Sequence, residues 1–150
     1  MKKLNVFTYG YLSMRPCNWF HNFKQFFRNL KYAYQRATSG FCDYDTWNLD
    51  IYYLDLIIES LEKYKNNLHG CPTEFYEEDT ENPSEAWENY LEDIIDNLKK
   101  SDENYYNNPY DSWENFENWK KEEIRIRNSR EVHFNKGMHM LMDVFDELWD

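Results

Sequence analysis

The sequence predicts an all-α fold, a single domain of four or five helices arranged around a central, nearly all-apolar second helix. Three observations carry that expectation. Apolar residues recur every three or four positions in separate stretches along the chain. Pro16, Gly40, Gly70, Pro72 and Pro83 stand at the ends of those stretches, where helices start and stop. The chain has 150 residues, one ordinary domain, which buries roughly 70% of its unfolded surface and needs no disulfide or metal staple.

Residues 1–15 are short, mixed and contain Gly10, and read as a strand or an extended arm. The first helix is expected from about Asn18 to Thr38, after Pro16. Trp19, Phe20, Phe23, Phe26, Phe27, Leu30, Ala33, Tyr34 and Ala37 form its buried face, an arc of about 140° at helical periodicity. Lys24, Arg28 and Lys31 form a basic strip beside it, and Gly40 suits a left-handed cap. Asp43 or Asp45 is expected to cap the second helix, which runs to about Asn67. Trp47, Ile51, Leu54, Ile58 and Leu61 make one face, and Leu49, Tyr52, Tyr53 and Leu56 cover most of the other. Such a helix belongs in the middle of a domain.

Residues 73–82 read as an acidic loop. Asn82-Pro83 opens a third helix whose Trp87, Leu91, Ile94, Ile95 and Leu98 face the core, with Lys99 and Lys100 in its last turn. Residues 101–112 read as a loop, and 112–127 as a weakly periodic helix through Trp113, Phe116 and Trp119. Asn128-Ser129 reads as a break before a final helix marked by Phe134, Met138, Leu141, Phe145 and Leu148. Gly137 inside that pattern costs about 1 kcal/mol relative to Ala, so a bend or a close approach is expected there.

Charge is sorted along the chain. Residues 1–42 hold seven basic side chains and no acid, and the remainder carries −18 of the total −11. A basic segment of this kind pairs with the acidic remainder or binds something anionic. The acidic total disfavours direct nucleic-acid binding by the whole surface. Cys17, Cys42 and Cys71 are an odd set without repeating spacing, which points to a reducing cytoplasm. Met1-Lys2-Lys3 resembles the start of an export signal, but Asn5, Thr8, Gly10 and Ser13 interrupt any apolar run. No membrane span is expected.

Phe27 to Phe75 resembles a group of short accessory proteins of tailed bacteriophages. The resemblance rests on three runs, Asn29-Leu30-Lys31-Tyr32-Ala33-Tyr34-Gln35-Arg36-Ala37, Asp43-Tyr44-Asp45-Thr46-Trp47-Asn48-Leu49-Asp50 and His69-Gly70-Cys71-Pro72. The ending Asp146-Glu147-Leu148-Trp149-Asp150 is similar too, whereas Cys71 departs from the group, where an aromatic is expected, and 101–130 has no counterpart. About a third of the chain is covered, most distinctively by Asp45-x-Trp47-x-Leu49-Asp50. The resemblance implies a viral or prophage accessory protein, a class that often acts on host machinery, including antiviral defence. No catalytic or binding residue carries over.

Asp50 is the residue that breaks the pattern of the second helix. By helical angle it falls among Trp47, Leu54, Ile57 and Leu61, where a carboxylate needs a partner or a raised pKa. It is either one half of a structural ion pair, with Arg36 or Arg28 as donor, or part of a binding group with Arg28, Arg36, Asp43, Asp45 and Trp47. Arg on phosphate and Trp on a base would suit a nucleotide. The strip Lys24, Arg28 and Lys31 beside aromatics suits phosphates and stacked bases, or is a solvated face paired with the acidic remainder. Glu85, Glu88, Glu92 and Asp96 resemble the paired acids of all-α nucleoside-triphosphate pyrophosphohydrolases, but they fall nearly opposite the core face, and a metal site in a bundle points inward. Cys17, His21, Cys42, His69 and Cys71 match no zinc spacing.

The expected function is therefore non-catalytic. It is a phage-type accessory protein in the host cytoplasm that binds a host protein, with the acidic face as one contact surface. The second reading is capture of a nucleotide or nucleotide-derived signalling molecule between helices one and two. A magnesium-dependent nucleotide hydrolase comes third. No cofactor or metal is expected, and the many Trp and Tyr leave material for self-association.

Overall fold

The computed structural model describes residues 19–77 and 82–148. Among these residues all regular structure is helical, with no strand. The helices are α1 (Trp19–Ser39), α2 (Leu49–Lys65), α3 (Glu74–Glu77), α4 (Pro83–Ser101) and α5 (Phe116–Asp143), with 3-10 turns at Asp45–Asn48 and Phe145–Glu147. The chain divides into two units, Met1–Leu56 and Ile57–Asp150, with the boundary inside α2. The arm expected at 1–15 lies outside the described residues. Among those described, no helix is long and apolar enough to cross a membrane.

In the second unit the core gathers on α4. Asn82 caps it by accepting from the Glu85 N–H at 3.4 Å, and Pro83 occupies the first turn. Trp87, Leu91, Ile94 and Leu98 are wholly buried along one stripe, joined by Ile95. α5 runs antiparallel to it. The Tyr90 hydroxyl donates to the Met140 carbonyl, Asn97 Oδ1 meets His133 Nδ1 at 3.0 Å, and Arg130 Nε donates to the Ser101 carbonyl at 2.9 Å. The last turns of α2 lie along α4 through Lys65–Glu92 and Lys99–Glu62 ion pairs, with Ile58 and Leu61 buried.

Gly137 is the point of closest approach. A Cβ there would stand 3.0 Å from two carbons of the buried Leu98 side chain and 3.3 Å from Asn97 Cβ. The close approach expected from the sequence is thus present, and it explains why a poor helix former is placed mid-helix. Gly137→Val is expected to lower stability by about 1–2 kcal/mol, because overpacking of about 1–3 kcal/mol outweighs the helix-propensity gain. Urea unfolding measures it, and an unchanged or raised midpoint would remove the argument.

Several expectations need correction. α2 is not the central element. Trp47, Leu49, Tyr53 and Leu56 are exposed and only Ile58 and Leu61 are buried, whereas in the second unit the buried stripe belongs to α4. Neither Asp43 nor Asp45 caps α2, because both carboxylates are committed to α1 side chains and a 3-10 turn precedes the helix. The helix ends at Lys65, with a turn at 66–67. A short helix, α3, stands within the expected 73–82 loop, and Phe75 packs its ring against Trp87 at 5.1 Å. Asn128-Ser129 does not break α5, which starts only at Phe116 and runs unbroken for 28 residues. Trp113 lies outside it and is exposed, as is Phe145.

α1 departs most from expectation. Its aromatic stripe is not covered: Phe23, Phe26, Phe27, Leu30 and Tyr34 are exposed, Phe23 at 60% and Tyr34 at 71%. The buried positions are Gln25 and Ala33, and the Arg36 side chain is 7% exposed. Gln25 and Arg36 lie on the polar side of the helix, so α1 turns that side inward.

Candidate functional site

The inward side of α1 ends in a buried ion pair. Gly40, at φ +80°, closes the helix by donating its N–H to the Arg36 carbonyl at 3.0 Å. The chain then doubles back, so that Asp45 meets Arg36. Arg36 Nε donates to Asp45 Oδ2 at 2.8 Å and Nη2 donates to Oδ1, a two-pronged fork. The Cys42 N–H also donates to Asp45 Oδ2 at 2.8 Å. The side chains are 7% and 2% exposed. Tyr52 stands against the guanidinium at 5.3 Å and donates its hydroxyl hydrogen to the Gly40 carbonyl. Burial works against ionisation of Asp45, but the Arg36 guanidinium and the Cys42 N–H outweigh it and hold the carboxyl below its ordinary range. Burial pushes the Tyr52 phenol up.

The carboxylate that requires a cationic mate is therefore Asp45, and Asp50 is exposed. The pair expected between Asp50 and Arg36 or Arg28 is replaced by one between Arg36 and Asp45, and Arg28 donates to Gln25. Of the six residues expected to share a pocket, Arg36 and Asp45 are joined and face each other. Asp43 sits at the surface, where Lys31 Nζ at 2.6 Å and Gln35 Nε2 at 2.9 Å lower its pKa. Trp47 is 84% exposed. Arg28 is exposed and donates to Gln25 one turn back. The group does not converge on one enclosed volume. Arg36 and Asp45 form a structural clamp between the end of α1 and the turn before α2.

The expected basic strip divides. Lys31 is tied to Asp43, while Lys24 and Arg28 stand exposed beside the Phe23 and Phe27 rings, which meet edge to face at 4.9 Å. Together they make an apolar, cation-edged surface along α1. Glu85, Glu88 and Glu92 lie on the outer side of α4, as their helical angles require, and Glu92 pairs with Lys65 while Asp96 pairs with Lys100. Among the described residues no group of three or more His, Cys, Asp or Glu side chains could hold a metal ion.

A further feature was not anticipated. A hollow of about 400 Å³ opens on α5, lined by Lys120, Glu123, Ile124, Ile126, Arg127 and Arg130. The signal was present as Lys120, Arg127 and Arg130 at helical spacing. The expected break at Asn128-Ser129 hid it by assigning them to two elements.

The chain matches no family model, no curated protein and no solved structure.

Proposed function

We propose that this chain is a non-catalytic phage-type accessory protein that binds a host protein through α1 and thereby antagonises an antiviral defence system. The outward aromatic stripe carries the reading. Soluble proteins seldom present a contiguous apolar face without a partner for it, and an amphipathic helix laid in a groove is anchored at this spacing. α1 contains no acidic residue, and Lys24 and Arg28 edge the stripe. The fitting partner offers an apolar groove rimmed by carboxylates. These cations also disfavour two copies of α1 packing face to face, where like charges would adjoin. The phage setting follows from the resemblance of 27–75, and the defence target is the function that resemblance implies.

The test uses the tagged chain in bacterial lysate beside a Phe23→Ser, Phe27→Ser double variant, whose exposed positions leave folding intact. A stoichiometric host protein is expected on the parent chain, weakening as salt rises and missing from the double variant. No band at low or moderate salt, or a band retained equally by both chains, would defeat the reading.

A further inference from the structure

We infer that the hollow on α5 binds a small molecule bearing a polyphosphate group. The inference is independent of the contact proposed for α1. A volume of about 400 Å³ falls within the range of small-molecule sites. Its polar lining is three cations and one carboxylate. The carboxylate, Glu123, already accepts from Asn108 Nδ2 at 3.0 Å. Arg130 is held in place by its Nε, which donates to the Ser101 carbonyl at 2.9 Å, and this leaves both terminal amines for a ligand.

Lys120 and Arg127 make no ion pair or hydrogen bond among the described residues. That is notable in a unit with 24 acids and ten bases, where a carboxylate partner should be easy to find. Three cations and a single carboxylate therefore line one space. Two guanidiniums suit the paired oxygens of phosphate, and an ammonium adds a point charge. Ile124 and Ile126 give the same hollow apolar walls against which a ring or chain attached to the phosphates can lie.

Isothermal titration with ATP, tripolyphosphate and adenosine at about 50 mM salt tests the site. ATP and tripolyphosphate are expected to saturate and adenosine is not. Lys120→Gln with Arg127→Gln should weaken both polyphosphates by about tenfold or more, while Arg125→Gln, which lies outside the hollow and pairs with Glu122, should leave them unchanged. ATP binding more tightly than tripolyphosphate supports a contact between the nucleoside and the isoleucines. Equal affinities support recognition of the phosphates alone. The inference is overturned by the absence of saturable binding of either polyphosphate below about 1 mM, or by binding that the double variant retains in full. Lys120 and Arg127 are exposed, so the variant is expected to keep its fold, with far-UV circular dichroism as the check.

Discussion

Trp87→Ala is expected to cost about 3–5 kcal/mol, much of the 5–15 kcal/mol that holds an ordinary domain folded. Trp87 is wholly buried at the start of the α4 stripe, and both Phe75 and Tyr90 pack on its ring, at 5.1 and 6.2 Å. Alanine would leave a cavity flanked by two aromatics, one on α3 and one on α4, and α3 would lose its main attachment. Trp87→Phe separates packing from polarity. Among the described residues the indole Nε1 is buried without a hydrogen-bond partner, a state that costs about 1–3 kcal/mol. Phenylalanine keeps most of the ring and removes that unsatisfied donor, so its cost should be well under half that of alanine. Urea unfolding of both variants decides the matter. Equal destabilisation by Phe and Ala would mean that the indole nitrogen is satisfied in solution.

The second large effect is expected at the Arg36–Asp45 clamp. Removing one partner of a buried pair leaves the other charged and unsolvated, at a cost of about 3–5 kcal/mol. Arg36→Ala and Asp45→Ala should each loosen the 19–56 segment, read as faster amide exchange at Gly40 and Cys42. Arg36→Met with Asp45→Leu should recover much of the loss, since neither charge then remains buried. The pair also sets an acid limit. The folded Asp45 carboxyl is held below its unfolded value of about 3.9, so its contribution is complete above that pH and is lost as pH falls through the lower folded value. Protection of this segment should therefore fade below about pH 4 in the parent chain and show no such step in the Met/Leu variant. If Asp45→Ala exchanges at the parent rate, the pair does not hold the segment.

How much of this could be read beforehand differs from helix to helix. α4 was legible throughout, because Asn82-Pro83 marks its start and Trp87, Leu91, Ile94 and Leu98 are spaced for one buried stripe. α5 was legible only in pieces, because Asn128-Ser129 pairs two poor helix formers whose tertiary partners lie far away in the chain. Ser129 meets the Tyr106 hydroxyl at 3.3 Å and Arg130 reaches Ser101, contacts that carry the helix through. The site residues were misassigned for a related reason. The angle that sets Asp50 beside Leu54, Ile57 and Leu61 is kept in α2, but the first turns of that helix are uncovered and leave Leu49, Asp50 and Tyr53 exposed, while the 3-10 turn Asp45–Asn48 brings Asp45 to Arg36.

Local chemistry set the helical class and the caps at Asn82 and Gly40, because each depends on residues a turn apart or on one backbone angle. It also marked one apolar side on each long helix. Only the folded chain determined which sides found cover within the protein. The stripe of α4 was enclosed by α3, α5 and the end of α2, while that of α1 was left facing outward and its arginine turned in to Asp45. Periodicity records that a face avoids water. It carries no information on what removes that face from water, since apolar burial has no direction and rewards any partner alike.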